Sequence, residues 1–337
     1  MSADGSIPTK ALAEFLSERL GESAAVEEAS IASAGASDDT WMLAVATPAG
    51  RQDLVVRRYR SGGPAREDTD PERHFRVLRE LPHEGIPAPE ALWFEPDPDL
   101  VGGPFFVMRR VAGRTVVPWL PAGREFLAEA GAGPLGARFV EVLAAIHAIP
   151  WTERFGFLEA DDDADDVGRR LDQIAAMLDR YSREPEPVFA DALGWLRHNR
   201  PEQERTTIVH GDYRSGNVIF GEEDINAVLD WEFCRIGDPA ADLGWVLCPS
   251  NRMGSDLACY MMPPERILEL YEEKAGWAPS PRSLRFWELL QLVFNAVLWI
   301  SAEHNYVRGA TDDLGLARWT YTVPTLRELV LDSLEAA

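Results

Sequence analysis

Lysine is nearly missing from this chain of 337 residues: only Lys10 and Lys274 occur among 33 basic residues. Any cationic site between those positions must use arginine, whose planar fork binds oxyanions in pairs of hydrogen bonds and does not interchange with an ammonium group. Cysteine is also scarce. Cys234, Cys248 and Cys259 are odd in number and lack metal-like spacing, so buried free thiols are expected rather than a disulfide or a metal site. No uninterrupted apolar run approaches the roughly 18–20 residues of a membrane span. Met1-Ser2-Ala3-Asp4-Gly5 has neither the basic region nor the apolar core of a signal peptide. A cytoplasmic protein with no membrane partner is therefore expected. Positive charge is in deficit overall, and a net charge of −23 argues against nucleic acid as a partner. There is no P-loop sequence. Gly131-Ala132-Gly133-Pro134-Leu135-Gly136 fits G-x-G-x-x-G by letter, but it follows a helix-like segment and Pro134 removes an amide donor, so it is not a dinucleotide fingerprint.

What is present is enough apolar residue, 46%, to build two lobes with cores of their own. Thr9 to Leu20 reads as an amphipathic helix with Leu12, Phe15, Leu16 and Leu20 on one face. Strands are expected within Val26–Ala46, at Asp53–Tyr59, Glu90–Glu95 and Pro104–Arg109, with a helix opening at Asp70-Pro71-Glu72. Beyond Gly113 the pattern turns helical, near Gly136–His147, Val167–Arg180, Pro187–Asn199, Pro264–Ala275 and Ser283–Tyr306. Pro121–Leu135 and the acidic Glu159–Asp166 stretch read as loops. The expected class is α+β: a small antiparallel-sheet lobe over residues 1–112 and a larger, mainly helical lobe over 113–337.

The most informative stretch is Ile208-Val209-His210-Gly211-Asp212-Tyr213-Arg214-Ser215-Gly216-Asn217, followed by Val228-Leu229-Asp230-Trp231-Glu232. Protein kinases use the same order: an Asp that accepts a hydroxyl proton, an Asn five positions later on Mg²⁺, and a second metal-binding Asp. Phosphoryl transfer needs a carboxylate beside the nucleophile and hard oxygen ligands for the metal that bridges the nucleotide phosphates. Asp212 is thus the candidate base. Asn217 and Asp230 are candidate metal ligands, with Glu232 as a further carboxylate. His210 joins the catalytic set, more as a brace for the loop than as a proton carrier.

These residues, with Gly237-Asp238-Pro239-Ala240-Ala241-Asp242-Leu243, resemble the aminoglycoside phosphotransferase and choline kinase superfamily. Together with Arg109-Arg110-Val111-Ala112-Gly113, the Asp-Trp-Glu form is most similar to the branch of the phosphotransferase domain fused to some acyl-CoA dehydrogenases. The resemblance implies a two-lobed, protein-kinase-like fold and transfer from a Mg²⁺-nucleotide, ATP first with GTP left open, to a hydroxyl of a small molecule. It implies that Asp238 and Asp242 brace the catalytic loop from behind. Kinase-type sites hold the α/β-phosphates with a Lys on the third strand. Here strand alternation phases Val55 and Arg57 to one face, so Arg57 takes that place and Arg58 is expected to face outward. Ser37 in the Ala34–Asp39 loop would cover phosphate, while Met108 and Arg110 would lie near the adenine.

Besides Arg57 in place of Lys, a position on the following helix departs from the family. His74 stands where its helix carries Glu, and a protonated His would repel Arg57, with Glu72 or Glu67 as substitutes. That departure is the argument for an alternative, a nucleotide-binding sensor or interaction module without turnover. Trp299, Glu303 and Tyr306 on the late helix are the candidate acceptor-pocket residues. The acceptor itself stays open among aminoglycosides, hydroxyacyl thioesters, choline-like molecules and sugars. Asp230 lies only eight residues before Asp238, too few for a peptide-docking activation segment between them.

Overall fold

Residues 7–32, 38–59, 70–159, 165–310 and 314–336 are described in the computed structural model. The chain divides into two compact units, Met1–Ala112 and Gly113–Ala337. The first opens with the expected helix, Thr9–Leu20 (α1), which buries Leu12, Phe15 and Leu16. Ala25–Ile31 (β1), Asp38–Thr47 (β2) and Gly50–Tyr59 (β3) follow, then Pro71–Glu80 (α2), Ala91–Glu95 (β4) and Phe105–Arg109 (β5). The five strands form one antiparallel sheet in the order β1-β2-β3-β5-β4. α2 begins where expected: the Asp70 carboxylate accepts the backbone N–H groups of Glu72 and Arg73, and Pro71 occupies the first turn, where its missing donor costs nothing. Leu54 and Val56 join Trp41, Leu43, Val45, Phe105 and Val107 in a core with α1. Strand alternation sends Val55, Arg57 and Tyr59 to the other face. There Arg57 pairs across with Phe106 and Val55 with Met108, and α2 adds His74 and Phe75.

The second unit contains Pro121–Ala132 (α3), Pro134–His147 (α4), Trp151–Arg154 (α5), Asp166–Tyr181 (α6) and Pro187–His198 (α7). Four short strands come next: Thr207–Val209 (β6), Val218–Phe220 (β7), Ile225–Val228 (β8) and Arg235–Gly237 (β9). Ala240–Leu247 (α8), Pro264–Ala275 (α9), Pro281–Val307 (α10), Leu314–Ala317 (α11) and Val323–Glu335 (α12) complete it. β6 pairs with β9 and β7 with β8, each antiparallel. α10 is the axis of the core: Phe286, Trp287, Leu290, Val293 and Val297 pack with residues of α6, α7, α8 and α12. It is long and apolar enough to cross a membrane, yet most of it is buried inside the unit.

Pro121–Leu135 is a correction. Most of it is helix, because Gly123, Leu127 and Ala130 are buried at helical spacing, but two of the three are too small to signal it. The glycines of the apparent dinucleotide pattern serve packing. A Cβ on Gly131 would sit 1.9 Å from the Met261 carbonyl oxygen, and one on Gly136 would sit 2.4 Å from that of Gly131. Cys234, Cys248 and Cys259 are buried and not disulfide-bonded, and burial pushes the thiols of Cys248 and Cys259 up to about 12.

Candidate active site

β6 delivers the chain into the loop that starts at His210, and its pairing with β9 places Val209 opposite Arg235. Gly211 follows with φ +88°, and a Cβ there would fall 2.6 Å from Cβ of Phe233, so both the backbone and the space demand glycine. The loop is braced from α8. Asp242, with no exposure at all, accepts the N–H of His210 on Oδ2 and that of Gly211 on Oδ1, both at 2.7 Å. His147 donates to the same carboxylate through Nε2 at 3.1 Å, and its Nδ1 accepts the Tyr271 hydroxyl at 2.7 Å. Burial alone would raise the Asp242 pKa. The bond and charge of His147, then His210 and the Gly211 amide, outweigh it and hold the carboxyl below its usual range. Asp238 takes the other course: its Oδ1 accepts the Ala240 amide and its Oδ2 the Trp287 indole, but burial dominates and its pKa is raised.

His210 is fully occupied. Its Nδ1 accepts the Asp212 N–H at 3.1 Å and its Nε2 donates to the Leu229 carbonyl at 2.8 Å. Burial lowers its pKa despite Asp242 and Asp212 nearby, which keeps the ring neutral. With both nitrogens bonded to backbone it is placed as a brace of the loop.

Asp212 receives three donors. Arg214 Nε at 3.0 Å and Trp245 Nε1 at 2.6 Å both point at Oδ1, and Asn217 Nδ2 at 2.6 Å points at Oδ2. Its side chain stays 16% exposed, enough to meet a ligand. Each carboxylate oxygen has two lone pairs, so Oδ1 is saturated and Oδ2 keeps one free. Arg214 also feels Asp230. Burial works against its charge, but Asp212 and Asp230 more than offset this and its pKa is raised.

The β7–β8 hairpin brings the remaining polar residues to this loop, with the Leu229 N–H donating to the Asn217 carbonyl at 2.8 Å. Asp230 adopts φ 60°, ψ 54°, a left-handed conformation uncommon outside glycine. Trp231 then donates to the Val228 carbonyl at 3.0 Å, its ring 4.5 Å from that of His210, and Glu232 lies on the same single turn. Among the described residues no group of three or more His, Cys, Asp or Glu side chains could hold a metal ion. The oxygen set does suit Mg²⁺ shared with phosphate, because the Asn217 amide nitrogen is committed to Asp212, which leaves its Oδ1 for a cation.

In the first unit, Val55 and Met108 are cross-strand partners, and the Arg110 N–H bonds the Asp53 carbonyl. The Arg57 guanidinium lies 5.8 Å from the Tyr59 ring centre. His74 is buried, and its Nδ1 bonds the Tyr59 hydroxyl. Glu72 is exposed, and Ser37 and Glu67 lie outside the described residues. Arg58 is a correction. Instead of facing outward it is 18% exposed, ion-paired with Asp39, bonded to the Val101 carbonyl and 4.7 Å from the Trp41 ring.

Trp299 stacks on Trp319 with ring centres 5.4 Å apart, and Glu303 lies near Arg327, which is bonded to Glu186. Among the described residues, no hydrogen bond or ring contact ties Trp299, Glu303 or Tyr306 to the Asp212 loop. The α10 side chain that does approach is Phe294, 6.4 Å from Phe233. Trp245 and Arg214 escaped the sequence reading as partners of Asp212. Trp245 was legible in principle, since it stands three residues after Asp242 on one helix and must share its face.

A kinase-like fold with this loop defines a phosphotransferase. The chain belongs to the phosphotransferase enzyme family, whose model matches residues 28–287. It is 30% identical over 250 residues to mouse acyl-CoA dehydrogenase family member 10 and 27% identical over 245 residues to human member 11. Those matches take in 71% and 70% of this chain but 22% and 30% of the relatives, so the chain spans under a third of their length. Among solved structures it is similar to a provisionally named aminoglycoside phosphotransferase of Ralstonia eutropha JMP134, with TM-score 0.74, 21% identity and coverage of 98% of this chain and 99% of that one. The streptomycin–ATP ternary complex of APH(2")-IIa aligns at TM-score 0.58 and 16% identity, covering 88% and 90%.

Proposed function

We propose that the protein transfers the terminal phosphoryl group of a Mg²⁺-nucleotide, ATP before GTP, to a hydroxyl of a small molecule. The observation that carries this reading is Asp212, held by three donors with one lone pair of Oδ2 left over. The acceptor hydroxyl gives its proton to that lone pair as its oxygen bonds to the terminal phosphorus, and the bond from phosphorus to the bridging oxygen breaks toward the nucleoside diphosphate. Arg214 fixes the Asp212 carboxylate and adds positive charge beside it. Asn217 Oδ1 and Asp230, with Glu232 as a further carboxylate, are the residues that would hold Mg²⁺, which when bound offsets charge on the phosphate oxygens. Arg57 supplies the phosphate contact from the third strand, with Val55, Met108, Arg110 and Ser37 the further nucleotide contacts. Trp299, Glu303 and Tyr306 take a lesser place than Phe294 in meeting the acceptor.

A second reading, nucleotide binding without turnover, rests on one feature: His74 bonds Tyr59 where the family carries a carboxylate. Nucleotide consumption across an acceptor panel separates the two. The phosphotransferase reading expects turnover in the wild type that falls by about 10²–10⁴ in Asp212→Asn, with Mg²⁺-nucleotide affinity retained. Nucleotide-dependent thermal stabilisation with no turnover on any acceptor would favour the second reading.

A further inference from the structure

Two arginines beside the catalytic loop have no assigned role. Arg235 on β9 stands opposite Val209, one residue before the loop, and its Nη1 would lie 3.2 Å from a Cβ built on Gly211. Its side chain is only 10% exposed, and its Nε bonds Asp166 at 3.2 Å. Nη1 and Nη2 are buried without a hydrogen-bond partner among the described residues. Arg170 on α6 lies over the Phe294 ring at 5.5 Å, and Phe294 in turn neighbours Phe233. Arg170 is half-buried, and its Nε is likewise unpartnered.

Buried donors are almost always satisfied, and a buried unpaired charge costs several kcal/mol. Around this pair Asp166 is shared, and Asp242 is already bonded to His147 and two backbone amides. Both carboxylates act on Arg170, but among the described residues neither bonds the Nη groups of Arg235. Desolvation first, and then Arg235, lowers the Arg170 pKa to about 9 against the pull of Asp166 and Asp242. In a chain of net charge −23, two neighbouring guanidiniums with N–H groups unpartnered among the described residues, one of them against Gly211, are a local exception.

We propose that Arg170 and Arg235 form an anion-binding subsite beside the catalytic loop, and that the phosphoryl acceptor carries a carboxylate or phosphate group held there. This rests on the phosphotransferase reading above and names its substrate class. Guanidinium N–H groups pair with either oxyanion, and the aromatic edges of Phe233 and Phe294 suit a short apolar link between the anion and the reacting hydroxyl. A polycationic acceptor would meet like charge at this wall.

The test uses matched pairs: short ω-hydroxyalkanoates against their neutral amides, and sugar phosphates against the free sugars, with an aminoglycoside as the cationic arm. Turnover should favour the anionic member of one pair by at least about tenfold in kcat/KM, and which pair responds tells carboxylate from phosphate. Arg170→Gln should raise the acceptor KM by about the same factor and shrink that preference, with the nucleotide KM unmoved. Arg235→Gln should do likewise, its folding checked by Tm. Equal use of neutral or cationic members, or an unchanged acceptor KM in Arg170→Gln, overturns the subsite. If no acceptor is phosphorylated, the phosphotransferase reading fails. Calorimetric binding of the same hydroxyalkanoates and sugar phosphates to Asp212→Asn then judges the subsite alone: binding lost in Arg170→Gln supports it, and no binding overturns it.

Discussion

Asp212 shows how few atoms fix one carboxylate. Trp245 contributes a single N–H to Oδ1, and without it the carboxylate is free to rotate between Arg214 and Asn217. Trp245→Phe keeps the ring and removes the donor, so kcat should fall roughly tenfold while both KM values hold, a split that steady-state kinetics resolves. A general loss of packing would instead lower Tm and move all three constants. His210 illustrates the opposite case. It stands two residues before Asp212, yet both nitrogens are bonded to backbone and its hydrogen-bond geometry is what shapes the loop.

At the scale of elements, β3 separates two neighbouring arginines. Arg57→Met should raise the nucleotide KM and lower turnover with little change in stability. Arg58→Met removes an ion pair from Asp39, which is almost completely buried, and should cost on the order of 2 kcal/mol in chemical denaturation. A rise in nucleotide KM confined to Arg58→Met would reverse the assignment of the two faces. α8 is the second decisive element, because Asp242 binds two backbone amides 32 and 31 residues before it. Asparagine there would turn an NH₂ group onto an amide N–H, so Asp242→Asn should destabilise by about 3 kcal/mol at neutral pH. The folded pKa of Asp242 is depressed. Its stabilisation is present above the usual carboxylate range and disappears as pH falls through the folded value, so the gap between wild type and variant should close in acid. Asp238 has the opposite sign. Its raised pKa favours the folded state at low pH, and that contribution is lost as pH rises through the folded value. Denaturation of Asp238→Asn and Asp242→Asn against pH separates the two.

For the whole molecule, the net charge of −23 sets the expectation. Self-repulsion of the acidic surface is screened over about 8 Å at 0.15 M salt, so added NaCl should raise Tm, and a Tm that falls with salt would show that specific ion pairs dominate instead. Much of the fold was legible in the sequence because its signals are local. α1 and α9 run over the expected residues, and Asp70-Pro71 opens α2, since apolar period and capping chemistry act within a few residues. α3 was not legible, because its buried face is made largely of glycine and alanine, which carry little hydrophobic signal.

The order and spacing of His210, Asp212, Asn217 and Asp230 lie in the chain itself, and so does the absence of any lysine between Lys10 and Lys274. These placed the chain in its phosphotransferase family, and they leave arginine as the basic residue that the proposed phosphate site would use. Tertiary structure alone decided which lone pair of Asp212 stays free, that Arg58 is buried against Asp39, and that Arg170 and Arg235 lie close enough to repel each other. Each of those outcomes depends on partners that are far apart in sequence, 65 residues in the case of the two arginines. A hydrogen bond or an uncancelled charge belongs to the pair and its burial, not to either residue read by itself.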